Sequence, residues 1–136
     1  RMIATVSRHA HFNAAHRLHV EAWSDAQNKA FFGACNNPLY HGHNYELIVA
    51  LTGPIDPISG YVYDMKVLGD QIKEHVESKL DHKNLNLEVP EFAQRNPTAE
   101  HIAAVIHGWL RPHISPELKI KVTLYETPRN FVEFND

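Results

Sequence analysis

The sequence predicts an α+β fold, an antiparallel sheet with two helices on one face. Three observations carry that expectation. Strand-like segments stand in pairs at the two ends of the chain, two apolar stripes of helical period lie between them, and turn residues separate the elements. Ile3, Thr5 and Val6, followed by alternation into Phe12, predict a first strand over residues 3–13. Residues 17–40 have no clean period and contain Gly33, Asn36, Asn37 and Pro38, so they read as a long loop with a helical turn near Ala26–Phe31. A loop of that length inside a compact domain is usually functional or disordered.

Residues 43–52 (HNYELIVALT) are rich in strand formers and predict the second strand, which Gly53-Pro54 ends. Asp56–Gly60 is turn chemistry, after which Tyr61-Val62-Tyr63 reads as extended. Val67, Leu68, Ile72, Val76 and Leu80 fall near one stripe of a helix over residues 65–80, with Asp64 placed to cap it. Residues 81–97 read as a loop. Thr98 caps a second helix over 99–110, whose apolar face is Ile102, Val105, Ile106 and Trp109. Residues 118–126 (LKIKVTLYE) alternate strongly, and a turn at 127–130 leads to a short last strand over 131–134.

The bulk properties narrow the function. A length of 136 residues suits one domain spanning 1–136, and 43% hydrophobic with 21% charged residues is a globular balance. The net charge of −3 argues against a nucleic-acid partner. The apolar runs are too short for a membrane span, and the chain opens without a secretory leader pattern. The single cysteine cannot close an internal disulfide, which fits a reducing, cytoplasmic setting. The eleven histidines are dispersed, so they are not an affinity tag.

Four of those histidines sit in informative contexts. His41 and His43 are two apart at the start of a strand, so both imidazoles project from one face, with Gly42 leaving room between them. His16 follows the first strand, the expected neighbour. The three read either as polar strand residues or as ligands of a catalytic zinc with one open position. Cys35 lies six residues before His41 and has three readings: a buried small residue, a fourth ligand, or a thiolate base beside the cation. Asp81-His82 reads as a carboxylate setting an imidazole tautomer or as helix-end electrostatics. Glu126 ends a strand and reads as an exposed acid or as an acceptor for two parallel hydrogen bonds from an amino-pyrimidine edge.

The motifs HFNAAHRL (11–18), CNNPLYHGHNYEL (35–47), LDHKNLN (80–86), NPTAEHIA (96–103) and LYETPRN (124–130), in this order, resemble the 6-pyruvoyltetrahydropterin and 6-carboxytetrahydropterin synthase family over nearly the whole chain. The resemblance implies zinc on His16, His41 and His43, with Cys35 as catalytic thiolate and Asp81 and His82 completing the catalytic group. It implies that Glu126 anchors the pterin, with Glu100 and Thr98 among further pocket residues. It also implies the tunnelling fold, in which sheets from several subunits close a barrel, and a homohexamer with active sites between subunits. The implied activity is a lyase acting on 7,8-dihydroneopterin triphosphate, serving tetrahydrobiopterin or queuosine biosynthesis. The step from Cys35 to His41 resembles that of the pyruvoyl-forming enzymes, whereas Leu39-Tyr40 departs from the small residues usual there. The competing expectations are an aldolase-like cleavage of the dihydroneopterin side chain and a non-enzymatic, zinc-stabilised binding module.

Overall fold

The computed structural model describes residues 1–136. Five strands form one sheet in the order β3-β1-β2-β4-β5. β1 (Ile3–His16) and β2 (His41–Pro54) are an antiparallel pair fourteen residues long on each side. β4 (Lys119–Tyr125) pairs antiparallel with β2, and β5 (Phe131–Asn135) with β4. The one parallel contact is β3 (Lys83–Asn84), a two-residue strand along the end of β1. The fold class is the α+β class the sequence predicts. Both long strands exceed the predicted 3–13 and 43–52: their polar ends pair through His16 and His41, and Gly53-Pro54, expected to end the second strand, instead pairs with Ala4 and Ile3 as its last two residues.

Alternation sets the layers. On β1, Phe12, Ala14 and His16 are buried, while Asn13 is exposed and Ala15 half-buried. Their partners across the pair, Tyr45, His43 and His41, share that face. The inner face continues through Leu47, Val49, Leu51, Ile120, Val122 and Leu124, and the helices cover it with Leu68, Ile72, Ile102, Ile106 and Leu110.

α2 (Met65–Ile72) starts at Asp64, whose carboxylate accepts from the Lys66 N–H at 2.9 Å. It passes through a π-helical turn, Lys73–Glu77, into α3 (Ser78–Leu80). The spacing of the buried residues explains the wider turn. Leu68, Ile72, Val76 and Leu80 are each four apart and at most 1% exposed. In a uniform α-helix four-residue steps drift by about 40° each, so one overwide turn keeps the row on the core. α5 (Ala99–Leu110) is regular and begins at Thr98, whose Oγ1 accepts from the His101 N–H at 3.2 Å.

The stretches read as loops hold more structure than predicted. α1 (Asp25–Phe32) has a complete capping box from Ser24 and Gln27, and a 3₁₀ turn over Gly33–Asn36 follows it. α4 (Leu85–Glu88) and a 3₁₀ turn at Pro90–Phe92 occupy the predicted loop 81–97. Tyr61–Tyr63, expected as extended, is not a strand: the Asp56 carboxylate caps the preceding turn by accepting from Ile58 and Ser59, and the chain turns into α2 with no neighbour to pair with.

Candidate active site

The register of β1 on β2 builds the centre of the site. His16 lies opposite His41, and Ala14 opposite His43, so the small Ala14 side chain leaves space for the third ring. The ring nitrogens of His16, His41 and His43 lie within 4.8 Å of one another. His16 is fully buried and donates Nδ1–H to the Pro97 carbonyl at 2.7 Å, which leaves its Nε2 as a lone pair 3.0 Å from His41 Nε2. His41 Nδ1 and His43 Nε2 are buried without any hydrogen-bond partner. Buried polar atoms are normally satisfied. Three clustered imidazoles, two of them with a buried nitrogen lacking any partner, therefore fit a cation, and neutral imidazoles are a donor set suited to zinc.

The electrostatics point the same way. Burial pushes His16 down to about 4, against the Pro97 bond, and the neighbouring His41 and His43 add to the shift. Burial and His43 also lower His41, partly offset by Glu126. Lowered values keep these rings neutral, the form that binds metal. Beneath them Tyr45 stacks on Phe12 with centroids 4.9 Å apart, and its hydroxyl lies 3.4 Å from His16 Nδ1.

Glu126, at the end of β4, brings Oε2 to 3.9 Å from His16 Nε2. It lines a cavity of about 680 Å³ together with His43, Tyr125 and Thr127 on the open side of the sheet. Cys35, in the 3₁₀ turn after α1, is partly exposed and is not one of the clustered ligand groups. Burial and the Glu126 carboxylate push its thiol up. Its carbonyl accepts from the Leu18 N–H at 2.8 Å, which ties the cysteine turn to the exit of β1.

Asp81 and His82 lie at the edge of β1. Asp81 Oδ1 accepts from the Asn13 N–H at 2.9 Å, and Oδ2 is 3.1 Å from His82 Nδ1. The Asn13 bond, with support from His82, holds the Asp81 carboxyl below its usual range. His82 has φ +61°, a left-handed conformation fixed by its N–H donating to the Asn13 carbonyl at 2.6 Å. Its ring is 77% exposed, and no hydrogen bond links Asp81 or His82 to Cys35 within the chain. Thr98 caps α5, and Glu100 is exposed on its first turn. Neither lines the cavity beside Glu126.

Sequence reasoning missed the residues that hold this site in place. Asn86 accepts from the Arg17 N–H at 2.8 Å and donates to the Arg17 carbonyl at 2.9 Å. Asn96 accepts from the His19 N–H at 3.0 Å, and Asn36 donates to the Leu18 carbonyl at 2.8 Å. The three asparagines fix the backbone just after His16. The signal available was their place in the same motifs as the candidate ligands.

An open, mostly antiparallel sheet carries the three-histidine cluster at its strand ends, and its structural neighbours are tunnelling-fold proteins. The family model for 6-pyruvoyl tetrahydropterin synthase matches residues 5–136, and the chain belongs to this family of lyases. It is 41% identical over 131 residues to the 6-pyruvoyl tetrahydrobiopterin synthase of Homo sapiens, covering 96% of this chain and 90% of that one. The structure of the Caenorhabditis elegans 6-pyruvoyl tetrahydropterin synthase superposes with a TM-score of 0.93 at 42% identity, covering 99% of this chain and 96% of the other. A dihydroneopterin monophosphate aldolase of Pyrococcus furiosus is 32% identical over 126 residues, covering 92% of this chain and 91% of that one.

Proposed function

We infer that the chain is a zinc-dependent lyase converting 7,8-dihydroneopterin triphosphate to 6-pyruvoyltetrahydropterin with loss of inorganic triphosphate. Residues 1–136 act as one pterin-synthase domain, working in the cytoplasm as a hexamer. The observation that carries the reading is the cluster of His16, His41 and His43 with two partnerless buried ring nitrogens. The six-residue step from Cys35 to His41 and the 41% identity to a pyruvoyl-forming relative favour that product over the carboxy one.

Zinc on the three imidazoles would supply a Lewis acid for the side-chain oxygens of the substrate, and a positive charge offsetting the burial and Glu126 field on Cys35. The Glu126 carboxylate accepts two parallel N–H bonds from the pterin ring and so fixes its register in the cavity. Thr98 and Glu100 lie outside that cavity within one chain, so they would join the pterin pocket only across a contact between copies. The Cys35 thiolate takes a proton from the substrate side chain. Asp81 holds His82 in the Nδ1–H tautomer, which leaves Nε2 to exchange a proton. With no bond to Cys35 inside one chain, the Asp81–His82 pair meets the reacting side chain across a contact between copies.

Mass spectrometry of the products formed from dihydroneopterin triphosphate tests the reading. A pyruvoyl product that disappears in Cys35→Ala supports it. A carboxy product with acetaldehyde reassigns the branch. Cleavage of the side chain to a shorter aldehyde favours the aldolase reading, which the Pyrococcus furiosus relative motivates. Absence of any turnover by the zinc-loaded chain defeats the enzyme assignment.

A further inference from the structure

The motif HFNAAHRL opens with a histidine that the chemistry above leaves unused. His11 precedes the buried Phe12 on β1, so alternation turns it to the open face of the sheet, together with Asn13. Asn13 is where the Asp81-His82 segment is fastened. Its N–H donates to Asp81 Oδ1 at 2.9 Å, and its carbonyl accepts from the His82 N–H at 2.6 Å. Two residues of a strand span roughly 7 Å, so the imidazole of His11 starts one side-chain step from the clamped carboxylate.

The two groups feel each other. The Asn13 bond is the main influence holding the Asp81 carboxyl below its usual range, and the charge of His11 adds to that of His82 in the same direction. The His11 ring is exposed and makes no hydrogen bond or ion pair within the chain. Its charged surroundings come from every side. Glu46 lies opposite it on β2, and His9 is two residues back on the same face. At the edge of β1 it shares a cleft of about 320 Å³ with Arg8, Asp70 of α2, and Lys73 and Glu77 of the π-helical turn. On the far side of the clamp, His82 shares a cavity with Lys83 and Glu88. Carboxylates, lysine and arginine ordinarily keep their charge from about pH 5 to 8, so the charge that varies beside Asp81 is that of imidazoles.

We propose that His11 is a positioning residue for the Asp81–His82 pair, a second imidazole beside the shared carboxylate whose protonation sets how firmly His82 keeps its own proton. The inference rests on the reading of His82 as a proton-exchanging group. In mild acid both rings draw on one carboxylate. A cationic His11 offsets the Asp81 field that favours a cationic His82, and it repels that cation directly. His82 therefore gives up its proton more readily, and its free Nε2 stays populated to lower pH. The two rings titrate as a coupled set, not as independent groups.

The test uses His11→Gln, which deletes the charge, and His11→Lys, which fixes it, at an exposed position on β1. The imidazole signals of the zinc-loaded protein are titrated by NMR, with His82 assigned through His82→Gln, and kcat/KM is followed against pH. Relative to wild type, the half-titration point of His82 and the acid limb of kcat/KM should rise by up to about half a pH unit in His11→Gln. Both should fall in His11→Lys, and molar salt should shrink both displacements. A merely structural role gives no such dependence on the sign of the charge. A His82 half-titration point that ignores both substitutions, or moves the same way in both, overturns the proposal. Displacements of His82 that follow the charge while the acid limb stays in place uphold the coupling, and instead defeat the reading of His82 as a proton-exchanging group.

Discussion

His16 concentrates the chemistry of the site at a single residue. Its folded pKa of about 4 lies below the ordinary 6.5. Between those values the unfolded chain takes up a proton that the folded chain refuses, so the metal-free protein loses stability as pH falls from 6.5 towards 4. The full loss amounts to about 3 kcal/mol. Urea unfolding with a chelator at pH 7 and pH 5 checks this, and His16→Gln should flatten the dependence. Cys35→Ala is expected to keep zinc and fold while losing turnover, because the sulfur lies outside the histidine cluster. Metal analysis that finds zinc lost with the sulfur would make Cys35 a ligand. The candidate ligands were legible because paired histidines on a strand share a face. Their convergence was not, since it depends on His16 standing opposite His41, a register that no local pattern records.

Among the elements, the segment between β1 and α1 depends on one side chain. Asn28 is fully buried, accepts from the Val20 N–H at 2.7 Å, and donates to the Val20 and Ser24 carbonyls at 2.9 and 3.1 Å. Asn28→Ala should cost about 2–3 kcal/mol by stranding those backbone groups, read as a lower urea midpoint. A midpoint unchanged within error would mean that water replaces the amide. The sequence does not announce this role. Asparagine in such a stretch reads as an ordinary turn former, and its partner lies eight residues back. The long strands and α5 were legible from period alone, while α4 and the 3₁₀ turns are too short to have one.

For the molecule as a whole, Asp136 ties the last strand to the rest. Its carboxylate accepts from His107 Nε2 at 2.6 Å, Arg111 at 2.7 Å and the Ile120 N–H at 3.0 Å, joining β5, α5 and β4. Burial opposes its charge, but these donors outweigh burial and hold it below the usual carboxylate range. Its stabilisation is therefore present above the ordinary carboxylate range and fades as pH falls through the folded value. Asp136→Asn should lower stability by about 1 kcal/mol at pH 7 after allowing for exposure, and by less in acid. Equal losses at both pH values would show that the charge is not what matters. The α+β layering was readable from the order of elements. The parallel β3 beside β1 was not, because two residues carry no pattern.

The overwide turn at Lys73–Glu77 has a consequence for chain length. It behaves like a helix carrying one surplus residue. Excising the exposed Glu74 would convert the buried four-four-four spacing into four-three-four, the ordinary rhythm of a uniform coil. Such a shortened protein should fold with Leu80 still seated and Asp81 still reaching Asn13. The same excision inside the regular α5 should swing its apolar stripe away from the sheet. Here, then, the protein has slack for a deletion that its other long helix lacks.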